Sequence, residues 1–101
     1  MTKIITHKGK IVGFYDALSN KVPLDDFLCE AIDNELRNID LEELYTVVET
    51  TDNKIIVKIM DSNNKVWEKI QLNYPKTRED VINIIETTID RVEESFTVDI
   101  Y

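Results

Sequence analysis

Lys54 to Val92 reads KIIVKIMDSNNKVWEKIQLNYPKTREDVINIIETTIDRV, and a change of period inside this stretch decides the fold. From Lys54 to Met60 every second residue is apolar. Ile55, Val57 and Ile59 fall on one face of a strand, and Ile56, Lys58 and Met60 on the other. Asp61-Ser62-Asn63-Asn64 is a turn built from residues that tolerate tight backbone angles. Lys65 to Leu72 alternates again, with Val66, Ile70 and Leu72 expected on one face and Trp67, Lys69 and Gln71 on the other. Tyr74-Pro75 stops the strand, because proline has no amide to donate to a ladder. Beyond it the apolar period lengthens. Val81, Ile84, Ile85, Thr88, Ile89, Val92 and Phe96 form one stripe of a helix, with Thr77 as its cap and Asp80 at the third helical position.

Working outward, Leu44 to Thr50 reads as a further strand, joined through Thr51-Asp52-Asn53, which makes a three-stranded meander. Asp40 and Glu43 have cap spacing, so Asp40 to Glu43 could instead open a short helix. A first helix starts near Pro23 and carries Leu24, Phe27, Leu28, Ala31, Ile32, Leu36 and Ile39 on one stripe. Before it, Lys3–Thr6 and Lys10–Tyr15 flank a turn containing Gly9, and Asp16 to Val22 reads as a polar connection. Thr97 to Tyr101 alternates and suggests a short final strand. The expected order is ββαβββα: an α+β domain spanning residues 1–101, its small antiparallel sheet (N-terminal hairpin plus meander) packed by two amphipathic helices. No internal repeat, low-complexity tract or linker is visible.

Composition narrows the function classes. A single cysteine, Cys29, cannot close an internal disulfide, which suits a reducing, cytoplasmic setting. The N-terminal residues lack the apolar core of a signal peptide, and no apolar run approaches the length of a membrane span. A net charge of −8 argues against direct binding of nucleic acid or of an anionic membrane. The many Ile, Asn and Lys residues fit an AT-rich coding sequence, as in a low-GC bacterium or its phage.

Charge is also sorted along the chain. Residues 1–23 carry a balance of +3, residues 24–52 of −9, residues 53–78 of +4 and residues 79–101 of −6. The acidic blocks coincide with the expected helices and the basic blocks with strands. Such sorting creates a field that favours partners of opposite sign. On the second helix Glu79, Glu86, Asp90 and Glu93 lie within about 60° of one another, with Glu94 beside them. Asp26, Glu30 and Asp33 are expected on the polar side of the first helix. Glu79 to Glu93 spans about 21 Å, or roughly one charge per 5 Å. That is sparser than a duplex, at one per about 1.7 Å of axis, and closer to a single strand. A solvated face of an acidic protein is the plain alternative.

Other candidates are weaker. Glu35 falls in the middle of the first helix's apolar stripe, so either the helix frays before it or a carboxylate is partly buried. Trp67, Met60 and Ile56 share one strand face and suit an assembly interface, or equally a sheet covered on both sides. Cys29 and His7 lack a third, orienting group that would make them a catalytic pair. The loop from Asp61 begins like a calcium loop but fails at Lys65, Val66 and Leu72. No metal-ligand spacing, cofactor loop or nucleophile motif is present, so no enzyme and no cofactor are expected.

These observations lead to a non-enzymatic acidic binding protein. Its carboxylate-rich helix faces would dock on a basic, nucleic-acid-binding surface of a protein partner and inhibit it. In size, acidity and element order the chain resembles, at the level of class and without a shared motif, phage-encoded inhibitors that mimic DNA, some anti-CRISPR proteins among them. The resemblance implies a nuclease or other DNA- or RNA-binding enzyme as target, and no residue role is carried over from it. The alternative is an assembly subunit that forms a homo-oligomer through the sheet face around Trp67.

Overall fold

The structure is a computed structural model and describes residues 3–98, with side chains through residue 95. β1 (Lys3–His7), β2 (Lys10–Tyr15) and β3 (Lys21–Pro23) form one antiparallel sheet, followed by α1 (Leu24–Asn38). β4 (Tyr45–Thr50), β5 (Lys54–Met60) and β6 (Val66–Asn73) form a second, followed by α2 (Arg78–Val98). The fold is α+β, as the pattern predicts. Two features differ from expectation. The strands divide into two sheets, and the polar connection after Tyr15 contains the short strand β3. The chain thus lays down three strands and a helix twice, although no repeat is legible in the residues.

The recurrence extends to a loop. Asp16 Oδ1 accepts from the amides of Leu18 and Asn20, and Asp61 Oδ1 accepts from those of Asn63 and Lys65. Ser19 and Asn64 take the left-handed conformation at the same place in each, with φ 65° and 63°. Serine is an unusual choice there, which hides the first loop from a sequence reading. β3 can pair with β2 because position 13 is glycine: a Cβ there would stand 2.6 Å from the Val22 carbonyl oxygen. The turn between β1 and β2 places Lys8 and Gly9 at positive φ, as a tight hairpin requires.

Both helices cover the same face of the second sheet. Leu24, Leu28, Ile32 and Leu36 of α1 and Val81, Ile84, Ile89 and Val92 of α2 share one core with Ile55, Val57 and Ile59 of β5. Ile11 and Phe14 of β2 close it from the first sheet, and the Phe14 and Phe27 rings stack with centroids 4.1 Å apart. The Tyr74 hydroxyl donates to the Ile11 carbonyl, and the Ile11 amide to that of Pro75, tying the two sheets together.

The helix ends follow local chemistry. α1 stops at Asp40, which adopts φ 61°, while the Leu41 amide donates to the Leu36 carbonyl and the Asp40 amide to that of Arg37. Asp40 therefore closes α1 and does not open a new helix. At the start of α2, the Thr77 hydroxyl accepts from the Asp80 amide, and the Asp80 carboxylate accepts from the Thr77 and Lys76 amides. α2 continues through Thr97 and Val98, so the short final strand is not formed there. Asp99 to Tyr101 and the Phe96 side chain lie outside the described residues. No described helix is long and apolar enough to cross a membrane.

Candidate functional site

The buried line of α1 runs Leu24, Leu28, Ile32, Leu36, in steps of four. Four residues advance a helix by about 400°, so this line drifts about 40° at each step. By the last turn it has left Glu35 behind and moved towards Asp33. Both residues therefore depart from a fixed-stripe reading. Glu35 is exposed although the helix runs on to Asn38, so neither fraying nor burial describes it. Asp33 is half-buried, and its Oδ1 accepts from the Thr46 amide at 3.0 Å and the Thr46 hydroxyl at 2.7 Å. It fastens α1 to β4 and leaves the docking set proposed for the polar side of α1.

Glu35 turns instead towards α2. An open groove of about 480 Å³ between the helices is lined by Glu35, Ile82, Ile85, Glu86, Ile89 and Asp90. Ile82, at the edge of the α2 stripe, is 47 % exposed. Glu79, Glu93 and Glu94 are exposed on the same helix, and Glu79 and Glu86 share a shallow hollow with Ile82. Asp26 and Glu30 are exposed too, but stand roughly 140–180° around α1 from Glu35. Glu30 lines a different hollow, beside Phe14 and Phe27. The acidic residues of α1 thus do not merge with those of α2, except through Glu35, which no charge pattern singled out.

A second surface lies on the outer side of the second sheet. Cross-strand partners share a side, so Tyr45 with Met60, Val47 with Lys58, Glu49 with Ile56, and Lys69 and Gln71 of β6 all face outward. Met60 and Ile56 share this face as the alternation predicts, four residues apart on β5, with Trp67 beside the Met60 end. Val66 does not take its expected inner place. A bulge at Val66–Trp67 pairs it with Met60 and leaves it 52 % exposed. Trp67 is 38 % and Tyr45 36 % exposed. Both helices lie on the opposite face, so neither covers this one. Lys58 pairs with Glu49 at 3.0 Å, and Lys54 donates to Asn73.

The remaining candidates are structural. A cleft of about 530 Å³ near the start of α2 is lined in part by Lys10, Tyr74, Lys76 and Asp80. Lys10 donates to the Asp52 carbonyl and stands 5.5 Å from the centre of the Tyr74 ring. The amides of Lys76 and Thr77 there hold the Asp80 carboxyl below the usual carboxylate range. Cys29 is half-buried. Burial raises its thiol pKa above the ordinary thiol value, a hydrogen bond at the Val48 backbone opposes the rise, and Asp33, Asp25 and Asp26 add to it. That suppresses thiolate, the reactive form. His7 is an exposed residue at the end of β1. Among the described residues, no three His, Cys, Asp or Glu side chains group as metal ligands. The Asp61 carboxylate is engaged in its own turn.

Comparison with known protein families, with curated proteins and with solved structures gives no match.

Proposed function

We propose that this protein is a non-enzymatic binding module that docks the acidic surface of α2, completed by Glu35, on a basic surface of a protein partner. The observation that carries this reading is the groove itself. Glu35, Glu86 and Asp90 stand around Ile82, Ile85 and Ile89. A merely solvated face needs no apolar floor, whereas a docking surface uses one to exclude water beneath charges that steer and orient. Glu86 and Asp90 are spaced i,i+4, and their repulsion costs a few tenths of a kcal/mol that a surface without a partner has no reason to keep. A nucleic-acid-binding groove is the kind of basic surface that fits, and occupying it would inhibit by competition. The set is Glu79, Glu86, Asp90, Glu93 and Glu94 with Glu35. Its spacing suits a short basic patch or a single-strand channel better than a duplex-length cleft.

The test is capture from a bacterial lysate by wild-type protein and by Glu86→Lys/Asp90→Lys, washed at about 0.1 M and about 1 M salt. The expected result is one or more nucleic-acid enzymes held by wild type at low salt, released at high salt and absent from the variant. Equal capture by the variant would refute the reading. A second reading, assembly through the outer face of the second sheet, is favoured by the exposure of Tyr45 on one side of Met60 and of Val66 and Trp67 on the other.

A further inference from the structure

We infer that the two surfaces fit each other, so that the outer sheet face of one copy docks into the α1–α2 groove of a second copy, head to tail. This rests on reading the groove as a docking surface and names one occupant for it. Charge is the first argument. The sheet face carries Lys54, Lys58 and Lys69 against Glu49, with Lys65 in the adjoining turn, while the groove carries Glu35, Glu86 and Asp90. A chain of net charge −8 has thus gathered basic residues on one face and carboxylates on the other side of its layers. Apolar surface is the second argument: Tyr45, Val66 and Trp67 are exposed among the lysines, and Ile82 among the carboxylates.

The pairing of like with like is the third. Lys58 and Lys69 stand directly opposite each other on β5 and β6. Like charges so placed repel, and of these two lysines Lys58 alone has a described carboxylate within ion-pair distance. A face-to-face dimer would set four such lysines against one another and leave both grooves uncovered. A head-to-tail contact brings carboxylates to the lysines and buries both apolar patches. Because the contacting surfaces differ, such an interface does not close in a pair. It propagates until a ring forms, or continues as a filament.

The experiment is sedimentation velocity on pure protein from micromolar to millimolar concentration, at about 0.05 M and about 1 M salt. Three proteins are compared: wild type, the groove variant Glu86→Lys/Asp90→Lys, and the face variant Val66→Glu/Lys69→Glu. Wild type is expected to form species larger than a dimer at low salt, with association at least tenfold weaker at high salt. Each variant alone should remain monomeric, because each sets like charges against one another, and their mixture should reassociate, since the face of the groove variant and the groove of the face variant remain intact and the two altered surfaces are themselves of opposite charge. Circular dichroism identifies a misfolded variant. If Val66→Glu disturbs β6, Lys69→Glu alone carries the same test. A wild-type monomer at every concentration, a variant that assembles like wild type, or a mixture that stays monomeric would each overturn the inference. None of these results touches capture of a foreign basic partner, which the lysate experiment reads separately.

Discussion

Replacing Asp33 by alanine separates a carboxylate that holds the fold from one that meets a partner. Its Oδ1 accepts two hydrogen bonds from Thr46, one from the backbone and one from the hydroxyl, and Thr46 is only 7 % exposed. The hydroxyl can rotate to another acceptor or to water. The amide cannot, and a buried amide left without an acceptor costs about 1–3 kcal/mol. Adding part of the charged hydrogen bond to the hydroxyl, and allowing for water reaching a half-buried site, gives a loss of about 2 kcal/mol. In a domain of this size that lowers the melting temperature by about 8–16 °C. Asp33→Asn keeps an acceptor at Oδ1 and should lose about half as much. The assay is urea denaturation of Asp33→Ala, Thr46→Val and the double variant. A coupling near 1 kcal/mol is expected between the two sites, because they share a hydrogen bond. If Asp33→Ala unfolds within about 0.5 kcal/mol of wild type, the range of an ordinary surface substitution, the structural assignment fails. Loss of partner capture at unchanged stability would return Asp33 to the docking set.

Other outcomes follow from particular positions. Gly13→Ala forces β3 away from β2, because the new Cβ meets backbone, and should cost about 1–3 kcal/mol by the same denaturation assay. Asp40→Gly should stabilise by about 1 kcal/mol, by relieving the left-handed strain and removing a carboxylate from the negative end of α1. The folded-state pKa of Asp80 lies below its ordinary value of 3.8. The stability it contributes is therefore fully present above 3.8 and is lost as pH falls through the depressed folded value, which a carboxyl NMR titration would show. Cys29 should react with a thiol reagent more slowly than a free cysteine at neutral pH. Its rate should continue to climb above the ordinary thiol range, as expected where burial and neighbouring carboxylates disfavour the thiolate.

Element types were legible wherever a period ran long enough to be unambiguous. Thr77 and Asp80 mark the start of α2, and the alternation of Ile55, Val57 and Ile59 marks the buried face of β5. Three kinds of information were not. β3 is three residues long, and its loop places serine where glycine or asparagine normally signals the turn. The bulge that turns Val66 outward is a matter of register, which depends on the partner strand and not on β6 alone. The roles of Asp33 and Glu35 depend on a buried line that drifts around α1, and a wheel averaged over the whole helix places both on the wrong side. The charge-sorted blocks pointed correctly to α2 as an exposed acidic helix. Its meeting with Glu35 required knowing how the helices pack.

Among the described residues, every strand pairs only with an immediate neighbour along the chain. For a molecule with two sheets this is a short-range wiring plan. Each meander can zip from its own turns, with little loop-closure entropy to overcome before the first hydrogen bonds form. The slow part of folding then moves from the sheets to the joining of the halves. There α1 must meet β4 through Asp33, and Tyr74 must reach Ile11 across 63 residues. Substitutions in the hairpins, which form ahead of that step, should mainly slow folding, whereas substitutions at Asp33 or Tyr74 should divide between slower folding and faster unfolding according to how far the joining has advanced at the barrier. The seam between the halves therefore bears on lifetime in a way that the hairpins do not.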